Sequence, residues 1–545
     1  MISSNDLTLS KLNTMKNKKI LIFLAFSLIF GPSQAQLTQA SQFSELSISG
    51  FRARILNGGD LFNSFSSLSG FEIPKVHTSQ VSRGTLAAAA IWIGAYDENN
   101  VLHTAVMVYR QKGVDYYPGP ITTDSVNSTN YYDKIFEVNA DDLLRQKQSG
   151  NTDISKNLQE WPTKDDIFFQ NTRPLAPYFD KDKDNVYNPY VGDYPLINGQ
   201  DAFYMIFNDN GLHGESGGLP LEVDVEAMCF GFASNDSAIN NTMFVNYAIT
   251  NRSKHTYKNF YIALWVDFDI GFYSDDMAGC DSARNLFFAY NGDNNDEGVS
   301  GYGFNPPAQG LVFLNHKMNS FHSYNNSTDT LNGNPNTPIE YYRLMSGFNL
   351  NGTAVRDHLN RKTRYAYYGH VGEQGAYNML NAGEPPFDIR GIGSIGPYTL
   401  PPDESVCLDV AFITAFDDNQ NIKDGMRVPT LQRYTDTIQK LYDINRSITK
   451  NILCMNKQVT EISSAAGPSA FQLYPNPNHG LMHIDGMAQQ GQSEISIYST
   501  DGKLVSTYTT QMHQLDIDIS GLPAGLYHII ISNSIQTLNA RIIKL

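Results

Sequence analysis

Residues 84–113 read GTLAAAAIWIGAYDENNVLHTAVMVYRQKG, and how this stretch folds decides the class of the chain. The four alanines, Ala87 to Ala90, suit a helix on propensity alone. Trp92 and Ile93 follow them, and both residue types favour strands. Asp97-Glu98-Asn99-Asn100 then breaks the apolar run with a polar turn before VLHTAVMVY resumes. The reading is a buried strand, a turn and a second strand.

The same pattern recurs outward from here. Residues 242–271, TMFVNYAITNRSKHTYKNFYIALWVDFDIG, form another strand pair turning around residues 251–255. Residues 404–416, ESVCLDVAFITAF, are a further buried strand. One helix is predicted, over residues 428–444: Pro429 suits a first turn, and Leu431, Tyr434, Ile438, Leu441 and Tyr442 recur at helical spacing. Residues 36–455 are therefore expected to be a mainly β, sandwich-like region of one or two subdomains with few helices. Residues 456–470, small and polar, read as a linker.

At 545 residues the chain exceeds one ordinary core. It carries 55 Asp and Glu against 39 Lys and Arg, and no basic patch stands out, so nucleic acid and anionic membranes are excluded as expected partners. Acidic, Asn-rich loops suit oxygen-liganded cations better, Ca²⁺ above all. Near the N-terminus, Lys16, Lys18 and Lys19 precede the apolar run 20–30 and the small-x-small site Ser33-Gln34-Ala35. Residues 1–35 thus read as a secretory signal peptide cleaved after Ala35, with Met15 as the expected true start. Of four cysteines, Cys229 and Cys407 lie in apolar strand-like runs, and three pairings or free thiols remain open. No C-x-x-C spacing supports a zinc or thioredoxin-type site.

After the linker, EISIYSTDGKLVSTY (494–508) alternates and turns at Asp501-Gly502, and LDIDISGLPAGLYHIIIS (515–532) alternates at Leu515, Ile517 and Ile519 and turns at residues 521–525. About seven short strands in this span predict a small Ig-like sandwich. The order Tyr474-Pro475-Asn476-Pro477, Gly502, then Gly521-Leu522-Pro523-Ala524-Gly525-Leu526-Tyr527 and a tail ending Lys544-Leu545 resembles the type A C-terminal sorting domain of type IX secretion cargo in Bacteroidota. His528 stands where an apolar residue is usual. The resemblance covers residues 471–545. It implies export through the periplasm, recognition by the type IX machinery, removal of the domain, and release or attachment to surface lipopolysaccharide. Residues 109–120, 176–195, 265–271 with 279–293, and 395–415 resemble large surface-exported proteins of the same phylum, a resemblance that adds no chemistry.

Two acidic groups are the candidate sites. In FDKDKDNVYNPYVGD (179–193), Asp180, Asp182 and Asp184 alternate as they would around one Ca²⁺, with Asn188 or Asp193 completing the shell. Asn185 occupies the usual glycine position and tolerates a left-handed backbone. Val191 at the twelfth position and Pro189 exclude an EF-hand. A plain solvated acidic turn is the other reading. In WVDFDIG, Trp265, Asp267 and Asp269 share one strand face, with Asp275, Asp276, Asp281 or Asp293 as possible cation partners. Asp267 and Asp269 are also the weak catalytic candidates, since the rise of a strand sets such carboxylates roughly 6.6 Å apart. Adjacent strand positions flank a sugar poorly, and a solvated strand face remains a reading.

Gly214-Glu215-Ser216-Gly217-Gly218 satisfies G-x-S-x-G, but no strand-to-helix elbow surrounds it, so a glycine-rich loop is expected; His103 and His213 are the histidines worth noting nearby. Zincin, NTPase and dinucleotide motifs do not appear. Asp124-Ser125-Val126, Asp236-Ser237-Ala238 and Asp281-Ser282-Ala283 match the short O-glycosylation pattern of that phylum. The expected function is that of an exported, calcium-stabilised adhesion or glycan-binding module with a glycan or protein ligand; the alternative is a secreted hydrolase of polysaccharide or protein.

Overall fold

In a computed structural model of the chain, β1 (Gly84–Tyr96) and β2 (Leu102–Ala105) form the hairpin that residues 84–113 predict. The structure describes residues 37–48, 50–64, 70–75, 82–163, 175–416, 427–444, 449–455, 457, 472–474, 478–485, 493–499, 504–511, 514–532 and 537–544. The signal-peptide stretch, most of residues 456–470, Pro475, Asn476, Pro477 and Gly502 lie outside the described residues.

The other main strands follow in order: β3 (Asp201–Asn208), β4 (Val223–Gly231), β5 (Thr242–Asn251), β6 (Tyr257–Phe268), β7 (Asp276–Asp281), β8 (Leu286–Asn291), β9 (Ala308–Phe313), β10 (Ser320–Asn325), β11 (Ile389–Leu400) and β12 (Ser405–Ala415). They build two antiparallel sheets, each of nine strands among the described residues. One runs β1-β6-β11-β10 through its centre; the other runs β7-β8-β9-β12-β5-β4-β3. Phe287 of β8 packs against Phe268 and Phe321 of the first sheet, and Phe412 of β12 against Phe62, so aromatic rings fill the space between the layers. Gly393 lets β11 approach, because a Cβ there would stand 2.4 Å from the Phe287 ring. One continuous core spans this body from Leu46 to Leu453.

β1 is a strand despite its alanines because nearly all of it is buried, on both faces. Its outer face lies under α1 (Pro338–Ser346), whose Met345 and Tyr342 reach Gly94, where a Cβ would stand 2.7 and 2.9 Å from them. The sequence reading did not anticipate α1. Thr337 and Glu340 form a capping box, Pro338 fills the first turn, and Gly347 ends the helix at φ 87°. The helices Ser125–Tyr132 and Ala140–Gln148 were also unforeseen; Asp124 and Asn139 cap them. α2 (Val428–Ile444) has the predicted bounds and lies over β12 and β9, with Tyr434 only half-buried.

The C-terminal sandwich has its own core of Leu473, Ile484, Ile495, Ile497, Ile517, Ile529, Ile531 and Ile542. Its three-stranded sheet comprises Gln472–Tyr474, Leu481–Asp485 and Leu515–Asp518; its four-stranded sheet comprises Ser493–Ser499, Leu504–Thr510, Gly525–Ser532 and Thr537–Lys544. His483 touches the body through the ring of Phe179, 5.5 Å between centroids.

Cys407 on β12 is bonded to Cys454, 47 positions on, while Cys229 and Cys280 are buried thiols. Thiol titration of the unfolded chain is expected to find two reactive groups without reductant and four with it. Cys454→Ser is expected to cost about 4 kcal/mol in guanidinium unfolding, the loop-closure entropy of a cross-link of this span. A midpoint unchanged by that substitution would show that the bridge constrains nothing.

Candidate functional site

The acidic loop is built by its own carboxylates. Asp193, fully buried, accepts the Lys181 amide at 2.9 Å and the Asn188 amide at 2.8 Å. Asp180 accepts the amides of Lys183 at 2.7 Å and Asn185 at 2.8 Å, which holds both residues at positive φ, 63° and 62°. The Asn188 side chain accepts from Tyr190. Asp193 and Asn188 therefore shape the loop, and the oxygens that converge are those of Asp180, Asp182 and Asp184, within 4.8 Å of one another. Burial and the neighbouring Asp184 push the Asp182 carboxyl up.

The second acidic group forms at the end of β6. Asp267 is on the strand, Asp269 just past it, and their third partner is Asp388, at the entrance to β11, all within 4.8 Å. Neither Asp281 nor Asp293 joins them: Asp281 ends β7 and pairs with Arg284 at 2.7 Å, and Asp293 accepts the Asn295 amide at 2.7 Å. Arg390 lies between two of the acids, 2.9 Å from Asp267 and 2.7 Å from Asp388. Tyr109 donates its hydroxyl to Asp267 at 2.6 Å. Burial pushes Asp267 up to about 6, although Arg390 and Tyr109 pull it back. Asp269 is pushed up to about 8, by burial first and then by Asp267 and Asp388. Close by, burial takes Asp275 up to about 7 and Asp276 well above the carboxylate range. Asp269 and Asp276 thus stay largely protonated near neutrality unless a cation joins them.

Tyr109 connects this group to a cavity of about 150 Å³ on the outer face of the first sheet. Tyr109, Tyr324 and Tyr341 line it with Asn326, Asn334, Asn336, Lys112 and Glu215. Trp265 braces the floor: its indole donates to the Tyr324 hydroxyl at 2.6 Å and stacks on Trp92. Glu215 accepts from the Tyr341 hydroxyl at 3.1 Å, lies 3.8 Å from the Lys112 ammonium, and is pushed up by burial. Sequence reasoning missed Glu215 as a site residue. It belongs to the G-E-S-G-G loop, whose Glu215 and Ser216 amides donate to buried Asp115. Ser216 is itself buried, and both ring nitrogens of buried His213 face backbone oxygens, of Thr104 and Asp209. The loop is structural, as expected, and its glutamate faces the cavity.

The three Asp-Ser-apolar matches begin local turns. Asp124 accepts from Asn127, Asp236 from Ala238 and Asp281 from Ala283.

In the C-terminal sandwich, exposed Gly521 and half-buried Leu522 form the turn before the strand Gly525–Ser532. Tyr527 is buried and donates to the Pro523 carbonyl at 2.8 Å. Gly525 pairs with Lys544, which also bridges to Asn478. The residues at 521–527 and at the tail thus meet across one sheet edge.

Residues 472–545 match the family model described as the secretion system C-terminal sorting domain. No curated protein matches the chain by sequence. Among solved structures, a polysaccharide lyase aligns at 10% identity over 59% of this chain and 34% of its own, with a TM-score of 0.17. This chain thus spans about a third of that structure. The BSP domain of a biofilm-associated protein aligns at 9% identity, 63% and 60% coverage and a TM-score of 0.12. PorZ, a surface component of the type-IX secretion system of Porphyromonas gingivalis, aligns at 9% identity, 94% and 99% coverage and a TM-score of 0.13. The resemblance of the central region to surface-exported proteins rests on the sequence alone. Residues 472–545 are a type IX secretion sorting domain, and the chain that carries it is cargo exported to the cell surface or secreted.

Proposed function

We propose that the exported chain is a non-enzymatic, calcium-stabilised surface module that binds a glycan in the cavity beside α1. The lining carries this reading: tyrosine rings stand beside the amides of Asn326, Asn334 and Asn336, with Glu215 and Lys112 among them. Sugar rings present C–H faces to aromatic rings and hydroxyls that both donate and accept, and amide side chains do both in return. A cavity of about 150 Å³ suits a single sugar unit rather than a drug-sized ligand. Calcium belongs to the two acidic groups, Asp180/Asp182/Asp184 and Asp267/Asp269/Asp388, whose carboxylate oxygens converge. Retention on surface lipopolysaccharide after sorting fits the same role.

One observation favours the secreted hydrolase as a second reading. Glu215 is a carboxyl raised by burial and facing a cavity, as a general acid would be. On a glycan array, Lys112→Ala and Asn336→Ala are expected to weaken binding of the full chain at least about tenfold, or 1.4 kcal/mol. Glu215→Gln discriminates the two functions. Wild-type turnover of any glycan or peptide that this variant abolishes would replace the binding module by the hydrolase.

The carboxylates also set a pH dependence. Asp267, Asp275 and Asp269 are raised to about 6, 7 and 8. Acids raised on folding stabilise fully below the unfolded value, about 3.9, and that contribution is lost as pH climbs through the folded values. In chelator, the melting temperature is expected to fall between pH 5 and pH 8.5. Millimolar Ca²⁺, which needs ionised oxygens, is expected to restore about 5 °C at the upper end and little at pH 5. Asp182→Ala and Asp269→Asn should each remove part of that gain. The absence of any calcium effect at pH 8 would leave both groups without an ion.

A further inference from the structure

Two turns 157 positions apart in sequence meet at the opposite end of the first sheet from Asp267. The first follows β1 and carries Asp97 and Glu98; β2 then brings His103 beside them. The second joins β5 to β6 and carries His255.

Asp97 is held rigidly. Its Oδ1 accepts the amides of Asn99 and Val101, each at 2.8 Å. Its Oδ2 faces the histidines, 3.8 Å from His103 Nε2 and 3.9 Å from His255 Nδ1. Glu98 Oε1 lies 2.9 Å from the same His255 nitrogen.

The orientation of His103 decides the chemistry. Its Nδ1 is 2.6 Å from the Pro220 carbonyl oxygen, which only accepts, so Nδ1 carries the proton. In the neutral ring Nε2 then bears a lone pair. That nitrogen is buried without a hydrogen-bond partner, in a residue 8% exposed, and it points at a carboxylate oxygen beyond bonding distance. A lone pair and an anionic oxygen facing one another in a buried site repel unless a cation lies between them. A histidine whose outer nitrogen donates to a backbone carbonyl while its inner nitrogen faces further donors is how metal-binding imidazoles are oriented.

We propose that Asp97, Glu98, His103 and His255 form a site for a first-row divalent transition metal, with Zn²⁺ as the best match. Two imidazole nitrogens and two carboxylate oxygens favour such an ion over Ca²⁺ or Mg²⁺, which take oxygen ligands. Ligands about 2.0–2.2 Å from a tetrahedral ion stand roughly 3.3–3.6 Å apart; Asp97, Glu98 and His255 already offer ligand atoms within 4.8 Å of one another, and His103 Nε2, 3.8 Å from Asp97 Oδ2, is the fourth donor, toward which the other side chains must close. Asp97 and His103 are the fixed half of the site. Glu98 and His255, with side chains 48% and 36% exposed, are the half with room to adjust. A bound ion would tie the β1–β2 turn to the β5–β6 turn.

The test uses the full chain, stripped with chelator and titrated with Zn²⁺ by calorimetry and with Co²⁺ by visible absorption. One tight Zn²⁺ equivalent is expected, weakened tenfold or more by His103→Gln and by His255→Gln, with Ca²⁺ unable to compete. Co²⁺ should give the intense visible band of a four-coordinate nitrogen–oxygen site, which a six-coordinate all-oxygen site lacks. Unchanged far-UV dichroism of both variants separates ligand loss from unfolding. Zn²⁺ binding that survives both substitutions unchanged, or no binding by the wild-type chain, would overturn the proposal.

Discussion

The stacking of Trp92 on Trp265, ring planes 9° apart and centroids 6.2 Å, depends on what stands opposite each indole. Trp92 pairs with Ala263 and Trp265 with Ala90, so each large ring faces a methyl group on the neighbouring strand. The alanines of β1 are small residues placed where two tryptophans need room, in a strand that sheet pairing and burial hold against its helical preference. A slip of one residue would turn Trp265 and Asp267 toward the other face. In the observed register, Asp267 stands opposite Arg390 of β11 at one end of β6. Lys258 stands opposite Tyr96 at the other end, which delivers His255 to Asp97 and Glu98. The pairing of β6, with a register shift between Tyr261 and Lys258, thus places the cavity floor, the acidic group beside it and the histidine–carboxylate cluster.

Buried carboxylates in this fold are of two kinds. Asp409 is surrounded by donors: the Tyr442 hydroxyl at 2.6 Å and the Asn246 amide at 2.7 Å. Asp209 accepts the backbone amides of Leu221 and Val223, at 2.5 and 2.7 Å. Those acids fasten loops and the helix to the sheets and have no spare chemistry. Asp269 and Asp275 differ: burial and then acidic neighbours raise both, and both oxygens of Asp275 are buried with no hydrogen-bond partner among the described residues. Arg390 supplies the positive charge beside Asp267 and Asp388, while Asp269 next to them is pushed up to about 8. This end of the sheet thus gathers three acids around one guanidinium.

What the sequence made legible was local. Alternation at Ile495, Ile497 and Ile517 and the ordered turn residues of the last 75 positions describe the sorting sandwich, because each of its strands is specified by its own few residues. Helical spacing likewise set the bounds of α2. The missing parts are long-range. Asp388 and Arg390 complete the Asp267 group only through the pairing of β6 with β11, and Glu215 reaches the cavity because Asp115 gathers its loop. His103 was visible as a histidine in a strand, but His255 comes from the connection between β5 and β6, which lie in different sheets. α1 is the exception. Its Thr-Pro-x-Glu start and glycine stop were readable signals, masked because Tyr341, Tyr342, Leu344 and Met345 crowd together where amphipathic spacing would separate them.

The two hydrophobic cores bear on how a cargo can lose its sorting domain. The body core ends at Leu453, and that end is pinned by interactions that do not involve residues 472–545. Cys454 is bonded to Cys407 on β12, and Asn451 donates to the Tyr247 carbonyl of β5 at 2.7 Å. Asn198 donates both to Asn246 and to the Lys450 carbonyl, each at 2.8 Å, which fastens the same segment from the loop before β3. The sorting sandwich holds its own seven strands around its own isoleucines. Among the described residues, the body and the sorting sandwich share no sheet and no hydrophobic core, so removal of the domain, which its family resemblance implies, would sever no strand pairing of the body there. The disulfide closes the body just before the linker, so the body's last element is fastened by a bond within the body and not by the sorting domain.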